Sequence, residues 1–199
     1  FGCVIQAYLR DSFADVREMT EFSKARGTPV TVRLVKGAYW DYETIEAEQR
    51  GWEIPVYCNK AESDANFETC AKYLLDNHKH IRVAIASHNV RSISAAQVHA
   101  EKLGLPKNAF EIQMLYGMAE PIKKALVEMG YRVREYAPVG ELIPGMAYLV
   151  RRLLENTSNE SWLRGKFAEG QSSEKLLRDP SHLLTPSSPW PHRENVFTN

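Results

Sequence analysis

Basic side chains interrupt an apolar, strand-like run near the start of the chain. In VRLVKGAYWD, residues 32–41, Arg33 stands among apolar residues and Lys36 follows at the end of the run. A charge buried without a partner is unfavourable, so the run is either solvated or meets an anionic group. Gly37 comes next, and a residue without a side chain lets the backbone approach a ligand closely. We therefore predict that Arg33 faces a ligand, with an ion pair inside the fold as the alternative.

Two adjacent arginines near the end of the ordered pattern form a second candidate group. Arg151 and Arg152 could hold a carboxylate with several fork-shaped donors, which lysines do less rigidly. Tyr148 lies one helical turn before them. The alternative is a surface ion pair with Glu155, which stands at helical spacing from both arginines.

Composition excludes several classes of function. The chain has 199 residues, of which 44% are hydrophobic, and its 25 basic side chains balance 25 acidic ones. This balance gives no basis for predicting a nucleic-acid partner, and no apolar run is long enough for a membrane span. Three cysteines without a close pair predict reduced thiols and a cytoplasmic protein. His78 and His80 lack a third ligand, so no metal site is predicted.

Short β-branched runs alternate with longer amphipathic runs, and the order repeats five times. Such alternation is typical of a parallel sheet covered by helices. The strands are predicted at 2–9, 28–37, 80–89, 109–115 and 131–140. The helices are predicted at 13–26, 62–77, 90–104, 120–130 and 146–156, with a further helical stretch near 41–50.

Alternation along the strands separates helix-facing residues from a second, polar set. In the second strand Val30, Val32 and Leu34 share one face, and Arg33 points the other way. The other strands carry polar groups on one parity or at their C-terminal ends: Gln6, Ser87, His88, Asn89, Gln113 and Tyr136. The mouth of a barrel accommodates them better than a sheet covered on both faces. We predict the α/β class and a TIM-type (β/α)8 barrel, of which this chain supplies about the last five βα units.

Four segments together resemble a known family. They are RLVKGAYWD (33–41), ASHN (86–89), EIQMLYGM (111–118) and YAPVGELIPGMAYLVRRLLEN (136–156). From about residue 1 to 165 the chain resembles the flavin-dependent proline dehydrogenase domain of bifunctional proline utilization A proteins. The resemblance implies a distorted barrel that binds FAD noncovalently and oxidises L-proline to Δ1-pyrroline-5-carboxylate by hydride transfer to the flavin. It also implies a quinone as electron acceptor and peripheral contact with the inner face of a membrane.

The resemblance assigns a role to each matching position. Arg33 would be catalytic, because it would lie against the reactive flavin nitrogen and stabilise the negative charge that develops there. Arg151 and Arg152 would bind the proline carboxylate, and the ring would be enclosed by Tyr39, Leu115, Tyr136 and Tyr148. The implied cofactor contacts are Gln6, Arg33, Val35, Lys36, Gly37, Ala38, Trp40, Tyr57, Cys58, Lys60, Ser87, His88, Asn89, Gln113, Leu115 and Glu155.

The same resemblance sets expectations about the rest of the polypeptide. The family takes a substrate-side lysine and an aspartate from early strands that this sequence lacks, so activity is expected to need upstream barrel strands. Residues 1–156 are expected to be the C-terminal part of the barrel. Residues 157–199, rich in Ser, Asn and Pro, are expected to be a tail or linker toward an aldehyde dehydrogenase domain in the same polypeptide.

Two other functions remain open at this point. Lys36 at the end of a strand could act as the amine nucleophile of a Schiff-base aldolase barrel. Alternatively, the chain could be a half-barrel without cofactor or catalytic activity.

Overall fold

Five parallel strands lie side by side in chain order. The computed structural model describes residues 2–157 and 172–184. The strands are β1 (Gly2–Gln6), β2 (Val30–Val35), β3 (Ile81–Ala86), β4 (Phe110–Leu115) and β5 (Arg132–Tyr136). Each pairs in parallel with the next, and the order β1-β2-β3-β4-β5 contains no reversal. A doubly wound sheet reverses its strand order at a switch point, so the sequential order is that of a barrel segment.

Helices follow every strand of the sheet. They are α1 (Ser12–Arg26), α2 (Trp40–Arg50), α3 (Lys60–Asp76), α4 (Val90–Lys102), α5 (Glu120–Glu128) and α6 (Leu142–Thr157). A short helix α7 (Ser173–Leu176) and a 3-10 turn, Pro180–Leu183, come after them. The five predicted strands and the six predicted helical stretches are all present. Residues 158–171 and 185–199 of the predicted tail or linker lie outside the described residues.

The apolar core lies on one face of the sheet. Val30, Val32 and Leu34 of β2 are fully buried there. Val32 and Leu34 belong to one cluster with residues of α1, α3, α4 and α5, including Val16, Phe67, Leu74, Ile93 and Leu126. Arg33 is half-buried on the opposite face, as strand alternation predicts. Burial of one face thus leaves the other face to polar side chains.

Helix α6 begins four residues before the predicted start. The sequence predicted that it begins at Met146. In the structure α6 begins at Leu142, so Pro144 lies in its first turn. Backbone N–H groups of the first turn have no partner within the helix, so a proline there costs no hydrogen bond.

The segment 172–184 packs against the outer helices. Arg91 at the start of α4 makes a bidentate ion pair with Glu68 of α3. Its Nε and Nη2 each lie 2.9 Å from a carboxylate oxygen. Its Nη1 donates to the backbone oxygen of Leu177 at 3.0 Å, and its Nη2 lies 3.3 Å from Asp179. Pro180, the next residue after Asp179, is buried. Arg91 therefore joins α3, α4 and this later segment.

Replacing Arg91 with methionine should destabilise this corner of the fold by about 3–5 kcal/mol, because it leaves the Glu68 carboxylate buried without a counter-charge. The Glu68 side chain is only 3% exposed. Asp179→Asn is the matched control and should cost at most about 1 kcal/mol, because that carboxylate is partly solvated. Hydrogen exchange of the α3 and α4 amides in the complete protein measures both effects. Equal protection in the two variants would contradict the assignment.

Candidate functional site

A chain of hydrogen bonds crosses the polar face of the sheet. Arg33 Nε of β2 donates to Gln113 Oε1 of β4 at 2.7 Å. Gln113 Nε2 donates to Glu111 Oε1 at 2.5 Å, and the second oxygen of Glu111 accepts from Arg134 Nη2 of β5 at 2.8 Å. Within the described part of the chain, Arg33 thus pairs with a neutral amide rather than with a carboxylate. The predicted alternative, an ion pair for Arg33, is not what these residues form.

An aromatic ring lies beside the Arg33 guanidinium. The guanidinium carbon is 5.4 Å from the centre of the Tyr136 ring, and Tyr136 in turn lies 5.8 Å from Tyr148 of α6. Burial lowers the pKa of Arg33, although Tyr136 and Tyr148 oppose the shift. An arginine stays protonated in proteins, so Arg33 is a partly desolvated cation. Such a cation can stabilise negative charge that develops next to it.

The two adjacent arginines of α6 extend this cationic region. The guanidinium carbon of Arg152 lies 5.3 Å from the Tyr148 ring, and that of Arg151 lies 5.9 Å from the Tyr39 ring. Arg151 Nε is buried and has no hydrogen-bond partner among residues 2–157 and 172–184. A buried donor of this kind is normally satisfied, so it suits an acceptor supplied by a ligand. The side chain of Glu155, the predicted surface partner, lies outside the described part.

His88 links the end of β3 to the end of β4. Its Nε2 accepts a hydrogen bond from the backbone N–H of Leu115 at 2.9 Å. An accepting ring nitrogen requires the neutral imidazole. Burial, assisted by the positive charges of Arg152 and Lys123, lowers the pKa of His88 to about 4. The structure therefore brings His88 and Leu115 together with the tyrosine and arginine groups at one end of the sheet.

The turn after β2 packs closely against the segment that follows β1. Gly37 has a positive φ of 131°, and any Cβ there would collide with the ring of the buried Tyr8. Packing within the protein thus explains this glycine. Trp40 Nε1 donates to the backbone oxygen of Tyr57 at 2.8 Å, so the indole ties this turn to the segment before α3. Tyr39 and Trp40 are 59% and 42% exposed, which leaves their rings open to a ligand.

Lys36 lies on the other side of the strand from Arg33. Its Nζ is 2.5 Å from Asp64 of α3, and Lys60 Nζ lies 2.9 Å from the second oxygen of the same carboxylate. Burial raises the pKa of Asp64, but the two ammonium groups outweigh it and hold the pKa below its usual value. Burial lowers the pKa of Lys36. Because the Lys36 ammonium is engaged on the helix side, the geometry gives no support to an amine nucleophile at this position.

Three predicted cofactor residues have local structural roles. Asn89 Oδ1 accepts from the N–H of Ser92 and caps α4, while Ser87 Oγ accepts from the N–H of Asn89. Lys60 is the first residue of α3 and is half-exposed. The neighbouring Asn59 forms a capping box with Glu62, so helix capping explains the asparagine at this position.

The remaining predicted cofactor residues lie along the same end of the sheet. Gln6 and Val35 are register partners on β1 and β2, and both are half-buried. Ala38 is half-buried in the following turn, and Cys58 is exposed. Sequence patterns did not identify Glu111 and Arg134 as site residues. Their parity with Gln113 and Tyr136 was the available signal, because side chains two residues apart share a face.

The described residues form neither a metal site nor a membrane-spanning helix. No three His, Cys, Asp or Glu side chains among residues 2–157 and 172–184 gather in a way that could hold a metal ion. No helix in the same ranges is long and apolar enough to cross a membrane.

A parallel α/β sheet whose strand ends carry convergent cations, amides and aromatic rings has the arrangement of a barrel enzyme's substrate face. Comparison with known proteins defines the class more closely. The family model described as proline dehydrogenase matches residues 1–165. The chain therefore belongs to the proline dehydrogenase family, as its motifs predict.

Individual relatives agree with the family match. The chain is 36% identical over 186 residues to the bifunctional protein PutA of Escherichia coli, covering 90% of this chain and 14% of that protein. It is 33% identical over 158 residues to the mitochondrial proline dehydrogenase 1 of Homo sapiens, covering 77% of this chain and 26% of that one. The chain thus spans a small part of the curated relatives it matches.

A solved structure confirms the fold. Proline utilization A from Bdellovibrio bacteriovorus, crystallised after inactivation by N-propargylglycine, aligns with a TM-score of 0.90 and 72% identity. The alignment covers 100% of this chain and 21% of that one. The prediction of an α/β barrel segment is therefore confirmed.

The neutral state of His88 has a measurable consequence. The unfolded chain has a histidine pKa of about 6.5, so between pH 6.5 and 4 the unfolded state binds the proton that folded His88 excludes. Stability should fall as the pH falls through this range, by about 1–3 kcal/mol from this group. Thermal unfolding from pH 7 to 4 should show a shallower loss for His88→Asn than for the wild type. Identical pH profiles for both proteins would refute a neutral, half-buried His88.

Proposed function

We propose that the protein to which this chain belongs oxidises L-proline to Δ1-pyrroline-5-carboxylate with FAD as cofactor. The observation that carries the proposal is the half-buried Arg33, which donates to Gln113 and lies against Tyr136 next to the cationic end of α6. Family membership and the PutA relatives support the same reaction.

The residues of the sheet face fit a flavin. Arg33 uses its Nε for Gln113, and no hydrogen bond to its terminal nitrogens is formed by residues 2–157 or 172–184. These nitrogens are donors suited to an electron-rich ring nitrogen or carbonyl oxygen. Bound flavin would supply the two-electron chemistry, by accepting the hydride that proline loses. Arg33 would hold positive charge where negative charge develops.

The substrate residues would orient proline rather than react with it. Arg151 and Arg152 offer guanidinium donors for the carboxylate, and a buried Nε of Arg151 has no hydrogen-bond partner in the described residues. Tyr39, Tyr136 and Tyr148 lie against the cationic groups, and their rings supply the apolar walls that a pyrrolidine ring needs. Correct placement of the reacting carbon contributes to the rate without covalent catalysis.

The other cofactor contacts keep their predicted assignments. The flavin ring would be contacted by Gln6 and Gln113, and the cofactor would be lined by Val35, Gly37, Ala38 and Trp40. Its adenosine or phosphate end would lie at Ser87, His88 and Asn89, with phosphate contacts from Tyr57, Cys58 and Lys60. Further cofactor contacts would come from Lys36, Leu115 and Glu155. The positive ends of the α3 and α4 dipoles favour anionic groups, which supports phosphates at the adenosine or phosphate end.

The context of the whole protein belongs to the same proposal. Electrons would pass to a quinone, through peripheral contact of a cytoplasmic enzyme with the membrane. Residues 1–156 would complete a barrel with upstream strands, and residues 157–199 would lead toward an aldehyde dehydrogenase domain. The bifunctional PutA relatives, which are much longer than this chain, support a larger polypeptide.

The first test is the absorbance of the complete protein before and after addition of L-proline. The flavin band should be present and should bleach with proline. Arg33→Met should slow the bleaching by about 100-fold or more, because a donor aimed at developing charge is removed. Arg82→Met, on the same sheet face near the opposite end of β3, is the matched control and should bleach normally. A colourless protein would refute the cofactor assignment, and normal bleaching in Arg33→Met would refute the role of Arg33.

The second test concerns the carboxylate. Arg151→Met should raise KM for proline by about 10- to 100-fold, since a hydrogen bond to a charged group is worth about 1.5–3 kcal/mol. The limiting rate with saturating proline should change much less. Pyrrolidine, which lacks the carboxylate, should react equally poorly with wild type and variant. An unchanged KM would remove Arg151 from the substrate site.

A further inference from the structure

Glu111 occupies an enclosed position on the polar face that the proposed function does not use. Its side chain is 12% exposed, and both carboxylate oxygens have partners. One oxygen accepts from Gln113 Nε2 at 2.5 Å, and the other accepts from Arg134 Nη2 at 2.8 Å and Nε at 3.2 Å. Arg134 is 65% exposed, so the better-buried partner of Glu111 is the amide.

The chemistry of these groups permits one orientation of the Gln113 amide. Arg33 is a donor only, and the Glu111 carboxylate is an acceptor only. Gln113 lies between them and must turn its oxygen to Arg33 and its nitrogen to Glu111. In the flipped orientation, two donors would face each other at one end and two acceptors at the other. Glu111 therefore disfavours the flipped amide.

The orientation of Gln113 in turn limits the movement of Arg33. The guanidinium is held at Nε by the Gln113 oxygen and lies beside the Tyr136 ring. Two contacts fix both the position and the rotation of a planar group. Its terminal nitrogens then keep a constant direction on the polar face.

We propose that Glu111 is a positioning residue, which fixes the Gln113 amide and through it the Arg33 guanidinium for the oxidation proposed above. Glu111 need not contact substrate or cofactor for this role. The proposal rests on the proposed function, because its kinetic effect is read through Arg33. A purely structural ion pair between Glu111 and Arg134 is the competing explanation.

Three variants of the complete protein separate these explanations. Glu111→Leu has similar size but cannot accept a hydrogen bond, whereas Glu111→Gln can still accept one from the Gln113 amide. Arg132→Met is the matched control, because Arg132 is the register partner of Glu111 on β5 and is exposed. Wild-type flavin content and bleaching by proline are measured first, and failure there rejects the proposed function rather than the role of Glu111.

We expect Glu111→Leu to keep its flavin and its KM for proline within about 2-fold, while the limiting rate of flavin reduction falls about 10-fold. Glu111→Gln should recover the rate to within about 3-fold of the wild type. Arg132→Met should reduce flavin at the wild-type rate. Crystal structures give a readout independent of turnover. The contact from Arg33 Nε to Gln113 Oε1 should be lost in Glu111→Leu and kept in Glu111→Gln.

Two results would overturn the proposal. A normal rate or an intact Arg33–Gln113 contact in Glu111→Leu would leave Glu111 as an ion-pair partner of Arg134 alone. Equal damage in Glu111→Gln and Glu111→Leu would show that the charge matters rather than the orientation of the amide. Should Glu111→Leu lose its flavin, Glu111→Asp replaces it, because that carboxylate keeps its charge but withdraws from Gln113 by one methylene. The same two criteria then apply to Glu111→Asp.

Discussion

Arg33 donates its Nε to a neutral amide, and this choice of partner determines the electrostatics of the polar face. A carboxylate in place of Gln113 would neutralise the guanidinium and remove its usefulness toward an anionic ligand. The carboxylate that is present, Glu111, lies one residue further along the network and is balanced by Arg134. Gln113 therefore separates a neutral ion pair from a cation that has no carboxylate partner among residues 2–157 and 172–184. Half-burial makes that cation more effective, because solvent screens it less.

On the opposite face of the sheet, charged side chains form ion pairs. Lys36 is matched with Asp64, Glu68 with Arg91, and Lys123 with Glu135. Each pair joins different elements of the fold, and each contains a side chain that is largely buried. Charges on the helix side thus hold the layers together, while Arg33 lies on the other side next to Tyr136 and the end of α6. The chemical asymmetry of the site follows from the one-sided burial of the sheet.

The sequence predicted the layers better than the individual contacts. Strand alternation correctly separated Arg33 from Val32 and Leu34, because a period of two is a property of the backbone. It also placed Lys36 opposite Arg33, but it could not identify Asp64 as its partner, since the two lie 28 residues apart. Gly37 suggested close approach of a ligand, whereas its neighbour is the ring of Tyr8. Contacts between distant segments depend on packing, which no local pattern encodes.

The positive charges near the site also help to keep His88 neutral. Burial lowers the pKa of His88, and the nearby charges of Arg152 and Lys123 lower it further. The imidazole therefore stays neutral and keeps its Nε2 lone pair for the N–H of Leu115. Protonation would replace this acceptor with a second donor and release the end of β4, next to Tyr136 on β5. The arginines that suit an anionic ligand thus also keep His88 in the form that holds Leu115 in place.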